Sequence, residues 1–264
     1  MSMKFFDIAS KIVANDSVSK DIFLLSVHAP EIAKKARPGQ FCMLKLNHRL
    51  DPLLRRPLSI HDVRGDEVHF LYKVVGKGTG ILSRMTERDE VHVLGPLGNP
   101  FSLKTDKALI VGGGMGIAPL LFLARALGHE NTEKIMLGAR DKSELVRISE
   151  FSAISEDISL STDNGTLGHK GFVTDILKEH LLRKGTGSGF TAYACGPFPM
   201  LRMVCEITKE FRIPTQVSLE SYMGCGFGIC LGCAVNRAGE DGYMHVCKDG
   251  PVFNASFIDW RVEQ

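Results

Sequence analysis

The chain has almost no imbalance of charge: 32 basic side chains stand against 30 acidic ones in 264 residues, a net of +2. A partner such as nucleic acid or an anionic membrane surface calls for a cationic field, which this composition does not supply. The opening Met-Ser-Met-Lys-Phe-Phe-Asp also lacks a basic stretch followed by an apolar one, so no signal peptide is expected. The most hydrophobic run, Ala108 to Ala124, is broken by four glycines and a proline and closed by Arg125. It reads as strand, turn and helix, and a membrane span is not expected. Seven cysteines, an odd number, argue against a disulfide framework and for a reducing, cytoplasmic setting. Internal repeats and low-complexity segments are missing too.

What is present is the composition of an ordinary globular protein, 44% hydrophobic and 23% charged, in a chain long enough for two domains and a small appendage. The first hundred residues carry β-rich runs at Lys4–Val13, Asp21–His28, Phe41–Leu46, Glu67–Val75 and Glu90–Leu94, separated by glycine- and proline-containing turns. Short strands at this spacing predict an antiparallel β-barrel over 1–103. The rhythm then changes. Buried strands at Leu109–Val111, Lys134–Gly138, Ile158–Ser161 and Phe190–Ala194 alternate with helices around Leu120–Leu127, Val173–Leu182 and Met200–Phe211. That alternation predicts an α/β parallel-sheet domain over 104–214. The remainder, 215–264, is rich in glycine and cysteine and predicts a small metal module.

Within that tail, Cys225, Cys230, Cys233 and Cys247 are separated by four, two and thirteen residues. This is the plant-type [2Fe–2S] spacing. Three thiolates around one cluster force a tight loop, and Gly224, Gly226, Gly228 and Gly232 permit it. A zinc site would more commonly arrive as two knuckles with two residues between their cysteines. Cys42 and Cys205 read as small buried hydrophobes, and Cys195 is not expected to be a ligand either.

Four further motifs point to nucleotides. Gly112, Gly113, Gly114 and Gly116 form a glycine-rich turn between a strand and a helix, where backbone N–H groups and a helix N-terminus suit a diphosphate. Ile117 stands where the G-x-G-x-x-G fingerprint has its third glycine. Arg56-Pro57-Leu58-Ser59 offers a guanidinium fork for a diphosphate and a hydroxyl for a ring nitrogen. Gly76-Lys77-Gly78-Thr79-Gly80, ahead of a short helix start at Ile81–Met85, supplies more backbone donors. Cys195-Gly196-Pro197 ends a strand at the sheet's carboxyl edge, where such sheets bind ligands.

In this order, RPLS, GKGT, GGGMGIAP and CGP, the sequence resembles the ferredoxin–NADP reductase superfamily. The segment CGFGICLGCAV…HVCKDGPVF is similar to that of electron-transfer subunits of type 1B dihydroorotate dehydrogenases, and the resemblance covers essentially the whole chain. It implies an NAD-linked flavoprotein oxidoreductase subunit with FAD in the barrel, NAD(H) at the second domain and a [2Fe–2S] cluster in the tail. Arg56 would meet the flavin diphosphate and Ser59 would lie near the reactive N5, as the candidate catalytic residue. Leu58 stands where relatives often stack an aromatic ring, with Tyr72 as a substitute, and Leu71, Tyr72, Lys73, Gly78 and Thr79 complete the FAD site. Gly112 to Gly116 would hold the dinucleotide diphosphate, with Cys195 and Gly196 near the nicotinamide. The implied partner is an FMN-containing dihydroorotate dehydrogenase catalytic subunit, in a heterotetramer with two copies of each chain. The alternatives are a flavin–iron–sulfur subunit of a ferredoxin–NADP or sulfide dehydrogenase complex, a self-sufficient reductase, and a zinc-stapled interaction module. Strand Lys134–Gly138 runs into Ala139-Arg140-Asp141, which offers both a cation for a 2′-phosphate and a carboxylate for a ribose hydroxyl, while the resemblance favours NAD.

Overall fold

The computed structural model describes residues 5–46, 51–186, 189–239 and 242–261. Lys4, where the first expected strand begins, lies outside them. The first sheet is built from β1 (Phe6–Ser19), β2 (Ile22–His28), a single turn α1 (Pro30–Ala33), β3 (Phe41–Lys45), β4 (Arg56–Ser59), β5 (Asp62–Arg64), β6 (Glu67–Lys73), α2 (Lys77–Leu82) and β7 (Glu90–Leu97). Its strands run antiparallel in the order β4-β3-β7-β1-β2-β6-β5. The two edge strands, β4 and β5, are joined by Ile60 and His61 alone, so the sheet has to curl until its edges meet. Ile12, Leu25, Val27, Leu44, Ile60, Phe70 and Val93 fill the space enclosed.

The expected helix at Ile81–Met85 begins earlier, at the glycines themselves. The Thr79 hydroxyl accepts from the N–H groups of Val75 (2.9 Å) and Gly76 (3.2 Å), which satisfies orphan donors at the start of α2.

The second domain runs β8 (Lys107–Gly113), α3 (Leu120–Asn131), β9 (Thr132–Ala139), α4 (Ile148–Ser152), β10 (Ile158–Thr162), β11 (His169–Lys170), α5 (Val173–Lys184), β12 (Phe190–Cys195), α6 (Phe198–Glu210) and β13 (Thr215–Ser218). On α5, Val173, Ile176, Leu177, His180 and Leu181 are buried, the i, i+3, i+4, i+7, i+8 stripe of a helix lying on a sheet. The helix stops at Gly185, which takes a left-handed φ of 84°. The parallel strands order as β11-β10-β9-β8-β12-β13. Strand order therefore reverses between β8 and β12, and the crevice at their carboxyl ends is where open α/β sheets bind ligands.

The tail adds β14 (Ala234–Asn236), β15 (Tyr243–His245) and β16 (Val252–Asn254). β13, just past residue 214, is the last parallel strand of the sheet, and β16 pairs antiparallel with it. The two domains also share a core: Ile22 and Leu71 of the barrel pack with Phe101, Ile110 and Ile117 of the second domain.

Candidate cofactor and cluster site

All four residues of β4, Arg56 to Ser59, are only partly buried, whereas Phe41 to Leu44 of its partner β3 are fully buried. One side of β4 thus faces an open groove. The Arg56 guanidinium lies directly on Gly78: a Cβ there would stand 2.0 Å from Arg56 Nε. Arginine fork and glycine turn therefore come together, as the sequence suggests. Lys73 is held across the domain boundary by Glu144 at 2.6 Å. Tyr72 is different. Its ring is 2% exposed and stacks on Phe23 at 5.7 Å, with its hydroxyl donating to Asn15 Oδ1. No face of that ring is left for a flavin, so stacking by Tyr72 is corrected to a core-packing role.

At the switch point, Gly112 and Gly113 end β8, and Gly114 takes a φ of +53° into a 3₁₀ turn, Gly114–Ile117. That turn and Pro119 delay α3, which explains why the spacing departs from the dinucleotide fingerprint. Ile117 is 1% exposed and anchors the turn in the core. The glycines are needed for close approach. A Cβ at Gly113 would meet Met200 Sδ at 2.3 Å, and one at Gly116 would meet the Cys195 carbonyl oxygen at 2.3 Å and Gly196 N at 2.4 Å. Two turns from separate strands thus share one edge, as expected for Gly112 to Gly116 with Cys195 and Gly196.

Beside them opens a cavity of about 270 Å³, lined by Gly113, Gly116, Gly196, Leu219 and Glu220. Glu220 is its single ionisable lining residue. The side chain is reached by solvent through the cavity, yet protein crowds it, and this desolvation raises its pKa. Burial raises the Cys195 thiol, and the nearby Glu220 charge raises it further. The sequence motifs did not single out Glu220. Its signal was its position, two residues past the end of the strand that closes the sheet.

Sequence spacing alone also left the pairing of the four cysteines open. Cys233 and Cys247 are buried with sulfurs 3.2 Å apart. Cys225 Sγ is within hydrogen-bond reach of the Cys230 thiol. Among the described residues no three donors close into one metal-sized cage; the sulfurs stand as two pairs. Backbone N–H groups converge on them. Those of Phe227 (3.5 Å), Ile229 (3.3 Å) and Cys230 (3.4 Å) point at Cys225 Sγ, and that of Gly228 at Cys247 Sγ (3.1 Å). Burial raises the Cys225 thiol, but the N–H donors outweigh it and hold its pKa down to about 6. Cys247, buried and sharing a proton with Cys233, is pushed up to about 12. Two thiol pairs within a nest of N–H donors fit a two-iron centre, which takes two cysteine thiolates on each iron. Cys42 and Cys205 lie in the cores, as expected.

The three sites meet at the barrel. Met43 of β3 pairs with Pro57 of β4, and a Cβ at Gly226 of the cysteine loop would stand 2.5 Å from Met43 Cγ. The cysteine loop therefore packs against the strand pair that carries Arg56 to Ser59. A barrel with an arginine-bearing open strand, a parallel sheet with a glycine turn at its switch point, and a paired cysteine loop define an NAD-linked oxidoreductase of the ferredoxin–NADP reductase build with an iron–sulfur module.

Comparisons narrow that class. The iron–sulfur cluster binding domain of dihydroorotate dehydrogenase B matches residues 220–259, and the oxidoreductase NAD-binding domain matches 110–206. The dihydroorotate dehydrogenase B (NAD(+)) electron transfer subunit of Desulforamulus reducens is 38% identical, over 98% of this chain and 99% of its own. That of Clostridium perfringens is 35% identical, over 98% of this chain and 100% of its own. A solved NADH-dependent reduced ferredoxin-NADP oxidoreductase, from work on flavin-based electron bifurcation, superposes with a TM-score of 0.83 at 34% identity, covering 95% of this chain and 90% of that one. The chain belongs to the family of dihydroorotate dehydrogenase B electron transfer subunits. Among the described residues no helix is long and apolar enough to cross a membrane.

Proposed function

We propose that this chain carries electrons between NAD(H) and an FMN-containing dihydroorotate dehydrogenase catalytic subunit in pyrimidine biosynthesis, in a cytoplasmic assembly of two copies of each. The observation that carries this reading is the convergence just described: Pro57, Met43 and Gly226 place the flavin strand, β3 and the cysteine loop in direct succession. When bound, FAD exchanges a hydride with the nicotinamide and single electrons with a [2Fe–2S] cluster, and the protein aligns and tunes them.

Arg56, over Gly78 and Thr79, would neutralise the flavin diphosphate, with backbone from Leu71 to Lys73 beside it. Leu58 would line the flavin site and Ser59 would offer a hydroxyl to the flavin ring. Gly112, Gly113, Gly114 and Gly116 would receive the dinucleotide diphosphate, with Cys195 and Gly196 beside the nicotinamide. Glu220, in the same cavity, would offer a carboxylate to positive charge developing on that ring. Cys225, Cys230, Cys233 and Cys247 would hold the cluster, and the N–H groups of Phe227 to Cys230 would help set its potential.

Arg56→Ala should weaken FAD retention about ten- to a hundredfold, since one lost charge-assisted contact costs roughly 1.5–3 kcal/mol, while NAD affinity holds. Flavin content after dialysis measures this, and full retention contradicts the role.

The docking face follows from exposure. Tyr222 is 97% exposed, Ile229 73% and Leu231 59%, all on or beside the cysteine loop. The Phe227 ring, on the same loop, stacks on Phe5 at 6.0 Å, so Ile229 is the freer side chain. Contiguous exposed apolar area of this kind marks an interface. Ile229→Glu should abolish co-elution with the catalytic subunit while leaving NADH–ferricyanide turnover within about twofold, because a charge buried in such a contact goes unpaired. Unchanged co-elution places the contact elsewhere. The likeness to the ferredoxin-NADP oxidoreductase favours a second reading, in which the partner is a different flavoprotein. In that case the chain co-elutes with no dihydroorotate dehydrogenase subunit.

A further inference from the structure

Two adjacent residues, His61 and Asp62, cross from the barrel to the second domain just after the Arg56 to Ser59 strand. His61, 1% exposed, sets its Nδ1 2.7 Å from the carbonyl oxygen of Ala118, which ends the 3₁₀ glycine turn two residues before α3. A carbonyl only accepts, so Nδ1 carries the proton and Nε2 is left as a bare acceptor, without a hydrogen-bond partner. Asp62, 2% exposed, accepts from Arg64 Nε at 2.9 Å on its own strand and pairs with Arg125 Nε of α3 at 3.3 Å. From just after the flavin strand, one contact thus reaches the end of the glycine turn and the other the helix that follows it.

The apolar part of this domain boundary, Leu71 against Ile110 and Ile117, is non-directional and tolerates small rotations. A hydrogen bond and an ion pair at one buried point do not. Buried charges of this kind add little net stability and serve to fix one arrangement among several. We propose that His61 and Asp62 are positioning residues: a clamp that holds the flavin strand and the dinucleotide turn at the one separation hydride transfer accepts. This rests on the function proposed above.

The surroundings support the assignment. Around His61 stand Arg147, which precedes α4, Asp62, and His69 of β6, with Arg64 and Glu67 acting on His69. Desolvation first, and the Arg147 charge after it, lower the His61 pKa from 6.5 to about 4. The unfolded chain takes up that proton near pH 6.5 and the folded one only near 4. The contribution of neutral His61 is therefore complete above about 6.5 and is lost as pH falls from there towards 4.

The test uses the purified full chain carrying FAD and cluster, with flavin reduction by NADH followed in stopped flow. A misplacement of about 1 Å costs on the order of a hundredfold in such a step. His61→Ala and Arg125→Ala should therefore slow flavin reduction about tenfold or more, with FAD content and the KM for NADH unchanged. Hydrogen exchange should rise at the first amides of α3. His61→Asn, whose amide can still donate to Ala118, should restore the rate to within about threefold, with a flatter dependence of Tm on pH between 6.5 and 4. Rates within twofold of wild type in both variants overturn the clamp. So does loss of FAD together with rate, or failure of asparagine to rescue. A wild-type chain whose flavin NADH never reduces overturns the functional reading instead.

Discussion

Replacing Cys230 with serine is expected to remove the [2Fe–2S] cluster, leaving iron and acid-labile sulfide near zero where the parent chain holds two of each. Cys230 is the most exposed of the four cysteines, and its sulfur lies beside Gly224 and Gly232, 3.3 and 3.7 Å from where a Cβ on each would stand. Its partner Cys225 remains held by three N–H donors, so the loop keeps its shape while one iron loses half of its protein sulfur. Changes in outer-shell residues already cost about 10–100-fold in metal affinity, and loss of a direct ligand costs more. Electron delivery to the partner should vanish with the cluster. NADH–ferricyanide turnover, which needs the flavin and the glycine turn alone, should survive. Metal analysis giving zinc at one per chain in the parent protein, with no labile sulfide, contradicts the cluster.

Gly116→Ala is expected to weaken NAD(H) binding strongly while leaving FAD and cluster in place. The added methyl group would stand 2.3 Å from the Cys195 carbonyl oxygen and 2.4 Å from both Cys195 C and Gly196 N. These are backbone atoms, with no flexible side chain to move aside, and overpacking of this sort costs typically 1–3 kcal/mol. Relief comes by parting the glycine turn from the Cys195-Gly196 turn, the two walls of the dinucleotide crevice. Titration with NADH, followed by flavin bleaching, should show affinity reduced about tenfold or more, as the strain and the displaced donors are worth several kcal/mol together. Tight NADH binding with rapid flavin bleaching in this variant would place the dinucleotide elsewhere.

Much of this was legible from the chain itself because the signals were local. The alternation of Leu109–Val111, Lys134–Gly138, Ile158–Ser161 and Phe190–Ala194 with helical stretches gave strands that the structure extends by one or two residues at most ends. The spacing of Cys225, Cys230, Cys233 and Cys247 carried the iron–sulfur chemistry without any tertiary information. What the sequence could not show depended on pairing between distant strands. Tyr72 reads as an aromatic side chain at the flavin site, but β6 alternates, and the face that takes Phe70 and Tyr72 is the barrel core. The return of β16 to cover β13, just past 214, is a non-local pairing that composition does not announce. The start of α2 lay hidden among glycines, which disfavour helices until the Thr79 hydroxyl caps the turn. Glu220 and the His61–Asp62 clamp belong to no motif: a glutamate after a strand and a His-Asp pair gain meaning only when α3 and the cavity stand beside them.

The central claim is that electrons pass between NAD(H) and a dihydroorotate dehydrogenase partner through this chain. Its most direct measurement pairs the purified holo-chain with an FMN-bearing catalytic subunit and follows NAD⁺ reduction at the expense of dihydroorotate. The account predicts turnover that requires both chains and disappears with Cys230→Ser. Dihydroorotate-independent behaviour, with no NADH formed although both chains carry their cofactors, would contradict it.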